Sequence, residues 1–72
     1  MADTINLLDV VALAMDLPQH KLSRGQVGTV VEVLAPGVFE VEFSGDDGRT
    51  YASTALNADQ LTLLRYHPTH TA

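Results

Sequence analysis

The stretch Val38–Phe43, VFEVEF, alternates apolar and acidic residues without a break. Only a period of two puts Phe39, Val41 and Phe43 on one side and Glu40 and Glu42 on the other, so the stretch is a half-buried β-strand. Turn residues close in on both ends. Before it stands Ala35–Gly37, APG, where Pro36 presets the backbone and Gly37 accepts positive φ. After it comes SGDDG, in which Asp47-Gly48 is a strong hairpin signal. A helix has no room here, and neighbouring strands must supply the cover for the apolar side.

The flanking segments supply them. DVVALAM, Asp9–Met15, is β-branched and apolar and is read as a first strand. DLPQHKLSRG follows as a long irregular loop, because Pro18 and Gly25 deny it a lasting regular element. QVGTVVEVL gives a second strand over Val27–Leu34. Strict alternation places Val27, Thr29, Val31 and Val33 on one face and Gly28, Val30, Glu32 and Leu34 on the other. Both faces are substantially apolar, which is the mark of a central strand, with a bend near Gly28. RTYAST is the hairpin partner of VFEVEF, LNADQ a single helical turn with Asn57 as its cap, and LTLLR a last short strand. TINLL, residues 4–8, forms either one turn of helix capped by Thr4 or the lead into the first strand.

This order predicts an all-β, SH3-like small barrel of about five strands, with one short helical turn before the last strand. A small sheet shelters Phe39, Val41, Phe43, Tyr51 and Leu63 only by curling on itself. Seventy-two residues give one such domain, read as 1–66, with 67–72 as a flexible C-terminal tail. The longest apolar run, Val10–Met15, is far below the ~18 residues of a membrane span. The acidic start MADTINLLDV is unlike a basic secretory leader. With no cysteine to form disulfides, the expected setting is cytoplasmic.

The whole set of segments LLDVVAL, DLP, RGQVGTVVEVL, PGVFEVEF, DGRTYA and DQLTLL resembles the small bacterial family catalogued as domain of unknown function four-nine-two-six. The resemblance spans about residues 7–65. It implies a stand-alone SH3-like domain, and a setting like that of accessory members of two-gene modules, toxin–antitoxin and immunity pairs included. A looser similarity, resting on Gly25 and GTVVEV, is to the KOW element of ribosome- and transcription-associated proteins. The basic and aromatic residues that such elements present to RNA are mostly missing.

Each chemical motif meets a plainer structural account. Gly25 and Gly28 lack the following lysine and helix of a phosphate loop, so they are read as shaping the backbone where the loop turns into a strand. Asp46 and Asp47 fall short of the alternating ligand set of a calcium loop. Glu40 and Glu42 lie about 7 Å apart along their strand, without the concave, dry site that would divide acid from base. His67 and His70 flank Pro68, His20 stands alone, and no serine has a histidine beside it in sequence. The expectation is therefore a protein with no enzymatic activity, cofactor or metal. SH3-type recognition of polyproline is also disfavoured by the scarcity of aromatic residues and the lack of tryptophan.

The formal charge of −5 leaves Lys21, Arg24, Arg49 and Arg65 as the only basic side chains, which disfavours nucleic acid as a partner. The expected function is a protein–protein interaction module, an antitoxin- or immunity-type or accessory partner of a neighbouring gene product. Its candidate contact residues are Asp16, Arg24, Glu40, Glu42, Asp46, Asp47 and Arg49. Gly25, Gly28, Pro36, Gly37 and Gly48 are assigned to turns and bends. The alternatives are a KOW-like nucleic-acid or ribosome-associated module and a self-assembling structural protein. The chain is expected to be a monomer or a small homo-oligomer, with a basic protein partner and no membrane.

Overall fold

The computed structural model describes residues 4–45 and 50–64. Its strands are β1 (Val10–Leu13), β2 (Val27–Ala35), β3 (Val38–Ser44), β4 (Thr50–Asn57) and β5 (Leu61–Leu63). All neighbours are antiparallel, in one sheet of order β4-β3-β2-β1-β5. The protein is all-β, as the alternating segments require. β2 is the central strand, and a short 3-10 turn, Ala58–Gln60, precedes β5. This order is compatible with an SH3-like barrel, although among the described residues the sheet is open, with β4 and β5 as its edges. No helix among the described residues is long and apolar enough to cross a membrane.

The buried core joins Val11, Leu13, Leu17, Leu22, Val30, Phe39, Val41, Phe43, Leu56 and Leu61, with Leu63 partly buried against it. Phe39, Val41 and Phe43 therefore take the positions that the alternation assigns. The side chain of Tyr51 lies outside the described residues. Two members of the core, Leu17 and Leu22, come from the segment read as an irregular loop. Each donates its backbone N–H to the other's carbonyl, at 2.8 and 3.1 Å, which pinches the segment closed. Between them Pro18–His20 makes a 3-10 turn that ends at Lys21 in the left-handed region. Proline suits the first position of such a turn, because its missing N–H would have no partner there. The segment is an ordered flap over one side of the core.

β1 is shorter than the apolar run suggests, covering Val10–Leu13 and not Asp9–Met15. At its start Asn6–Asp9 is a tight turn, since Asp9 N–H donates to the Asn6 carbonyl at 3.1 Å. The Asp9 carboxylate in turn accepts the Asn6 N–H at 2.7 Å. This turn stands where the sequence left a helical turn or a strand lead-in open. It holds Leu8 at φ 70, which is strained for a bulky residue.

β2 departs most from strict alternation. Its pairing with β3 shifts by one residue between Val30 and Glu32, and again between Val33 and Ala35. Each shift is a β-bulge, which adds a residue to one strand and turns the following side chains over. The outcome corrects the apolar-on-both-faces reading. Gly28 and Val30 are buried, whereas Val31, Glu32, Val33 and Leu34 are exposed.

Candidate functional site

β3 presents Glu40 and Glu42 on the side away from the core, because Phe39, Val41 and Phe43 are buried on the other. Cross-strand partners share a face, so the register defines two rows over the outer surface. One runs Glu32, Glu40, Ala55 from β2 through β3 to β4, and the other runs Thr29, Glu42, Ser53. Glu32 thus stands directly opposite Glu40, with Glu42 two residues along. Like charges facing each other in this way are unfavourable, and no position in either row is basic. One neighbour answers part of this charge: the Ser53 hydroxyl donates to Glu40 Oε2 at 2.5 Å.

Glu32 was not among the residues that the sequence singled out. Alternation from the buried Val30 assigns it to the core face, and only the bulge brings it beside Glu40. The signal available in the sequence was the conflict itself, a carboxylate at an apparently inward position of a strand.

The structure brings Asp16 and Arg24 together in a different role. The Arg24 backbone N–H donates to Asp16 Oδ1 at 2.8 Å, and the next residue, Gly25, donates its N–H to the Leu13 carbonyl at 2.8 Å. The Asp16 carboxylate therefore fastens the base of the flap. Its hydrogen bond is internal to the segment, which leaves the Arg24 side chain, on an exposed residue, as the part that can meet a partner. Asp46, Asp47, Gly48 and Arg49 lie outside the described residues, as do His67 and His70.

The glycines differ in what they require. Gly25 and Gly37 have φ of 91° and 75°, with nothing within 4 Å of an added Cβ. Their need is conformational, and Pro36-Gly37 forms the turn between β2 and β3. Gly28 is instead a site of close approach. A Cβ there would lie 2.8 Å from both Phe43 Cδ1 and Val41 Cγ1, and 2.9 Å from the Glu42 carbonyl oxygen. Among the described residues, no group of three or more histidine, cysteine or acidic side chains is arranged to hold a metal ion.

Residues 7–63 match the family model described as Domain of unknown function (DUF4926). No curated protein and no solved structure matches the chain.

Proposed function

We propose that this chain, which belongs to the family Domain of unknown function (DUF4926), is a non-enzymatic module that binds another protein. The carrying observation is the outer face of the sheet, where Glu32, Glu40 and Glu42 gather with no basic residue among their register partners. A fold tolerates a small electrostatic cost on an exposed surface, and a partner bearing Lys or Arg would convert that cost into attraction. The same carboxylates would repel a phosphate backbone, which speaks against the KOW-like alternative. The partner is the product of a neighbouring gene, for which this module serves as an accessory or antitoxin-type subunit. It acts by covering the partner's surface, with the flap residue Arg24 available to fix orientation through a carboxylate.

The test is a pull-down from the native host with the tagged chain, followed by titration of the recovered protein. Affinity should fall with added salt, and at least tenfold in the double variant Glu40→Lys/Glu42→Lys. A recovered partner whose affinity ignores both changes would sink the electrostatic reading, and a wild-type bait that captures nothing specific would sink the module.

A further inference from the structure

Among the described residues, β4 is an edge strand with none of the usual protection along the stretch facing the acidic rows. From Ala52 to Asn57 it pairs with β3 in unbroken register, Ala52 against Phe43 through Asn57 against Val38. That stretch, ASTALN, contains no charge and no proline, and the one irregularity in the β3–β4 pairing lies beyond Phe43. Natural edges are commonly blunted by lysine, proline, a bulge or a covering strand. Here the outer side of the β4 backbone faces no strand among the described residues.

The side chains along this edge are small where the acidic rows reach it. Ala55 ends the row of Glu32 and Glu40, and Ser53 ends the row of Glu42; both are exposed. A strand added beside β4 would place alternate side chains next to Ala55 and Ser53, two strand spacings, or about 9.6 Å, from the β3 backbone. Lysine and arginine are long enough to lean over an alanine or a serine toward Glu40 and Glu42. The intervening side chains of the added strand would continue the inner face beside Thr54 and the buried Leu56, where apolar residues fit.

We infer that the β4 edge accepts an extended segment of a partner protein, added as a further strand, with basic residues at alternate positions and apolar residues between them. The inference deepens the interaction reading above by naming the site and the chemistry of what it holds. Main-chain hydrogen bonds would supply affinity and the alternating pattern specificity. A second copy of this chain fits poorly as the occupant, since its β4 offers no base at Ser53 or Ala55 and its net charge is −5. The exposed Val31, Val33 and Leu34 of β2 lie on the side of β3 away from β4, where the bulges of β2 disrupt a template for pairing.

The discriminating variant is Ala55→Lys. It sets a cation opposite Glu40, so the fold should melt at an unchanged or higher temperature, while the added charge opposes an incoming basic strand. The probe is the capped peptide acetyl-Lys-Val-Lys-Val-Arg-Val-Lys-amide, titrated into the labelled full chain at low salt and followed by amide shifts. Shifts centred on Ala52–Asn57, a loss of affinity of at least tenfold in Ala55→Lys, and no response to the peptide with glutamate in place of each base support the inference. Shifts centred on Val31–Leu34, equal affinity in the variant, or no binding by wild type would overturn it. So would a concentration-dependent dimer of the free chain that perturbs β4, because the occupant would then be a second copy. In the host pull-down, a partner held equally by wild type and Ala55→Lys would remove this edge while leaving the interaction reading intact.

Discussion

Replacing Gly28 by alanine tests the packing of this fold more sharply than any truncation. The added methyl would meet three atoms inside normal contact distance: Phe43 Cδ1 and Val41 Cγ1 at 2.8 Å, and the Glu42 carbonyl oxygen at 2.9 Å. Side chains alone could yield by rotating, but Phe43 and Val41 are fully buried and hemmed in by the core. The carbonyl belongs to β3, which is held by strands on both sides, so relief requires prising β2 from β3. Overpacking of this kind costs about 1–3 kcal/mol. Three simultaneous contacts place Gly28→Ala near the top of that range. Removing a glycine returns about 0.4–1 kcal/mol through the unfolded chain. The net loss is then about 2 kcal/mol, against a total stability of roughly 4–11 kcal/mol from ~0.05–0.15 kcal/mol per residue. For a domain of this size that lowers the melting temperature by about 8–16 °C. Calorimetry and urea titration followed by circular dichroism would measure it, with the denaturant slope unchanged. Combining Gly28→Ala with Val41→Ala frees one of the three contacts, so the pair should be at least ~0.5 kcal/mol less destabilised than the sum of the singles. Gly25→Ala makes a control, because it strains φ at 91° without any clash and should add independently of Val41. A melting temperature for Gly28→Ala within about 2 °C of wild type, outside the 8–16 °C range that follows from the slope above, would refute the close-approach argument.

Other perturbations separate the remaining features. Leu22→Ala should cost about 2–5 kcal/mol in a urea titration, as for any buried leucine, even though it lies in a segment without strands. Asp16→Ala removes the acceptor for the Arg24 N–H, so it should cost about 0.5–1.5 kcal/mol and speed hydrogen exchange at that amide. Leu8→Gly should stabilise the fold by about 1 kcal/mol in thermal melts, by relieving the left-handed backbone at an exposed position. Glu32→Gln should raise stability by roughly 0.2–1 kcal/mol at low salt, with the gain fading as salt screens the pair with Glu40.

The strands were legible because their chemistry is local. VFEVEF, the APG turn and the Asn57 turn before β5 each carry their own signal within a few residues, and each lies where that signal puts it. The flap was not legible, because what orders it is distant. Leu17 and Leu22 look like two isolated leucines in a polar, proline-containing segment, and only the nearby core gives them a reason to fold inward. Asp16 was visible as a charged residue near Arg24, but sequence spacing could not say that its carboxylate would accept a backbone N–H and not a guanidinium. The site was half legible. Glu40 and Glu42 followed from alternation, whereas Glu32 depended on a bulge, for which β2 carries no glycine beyond Gly28.

That bulge settles a conflict between periodicity and charge. Continued alternation from Val30 would turn Glu32 toward the core, where an unpaired carboxylate costs several kcal/mol. Inserting one residue into the β2 side of the ladder disrupts the pairing locally and exposes Val31, which is far cheaper. The same step carries Glu32 onto the outer face opposite Glu40, so avoiding a buried charge gathers the exposed Glu32 with the half-buried Glu40 and Glu42. The cluster then bears on the two edges of the β3 neighbourhood unequally. On the β2 side the bulges shift the register twice, and on the β4 side the ladder keeps unbroken register from Ala52 to Asn57, uncharged and with the small Ser53 and Ala55 on the outer face. A basic strand attracted to this face therefore has one regular backbone to join, and the edge that can receive it is the one through which Glu40 and Glu42 are reached.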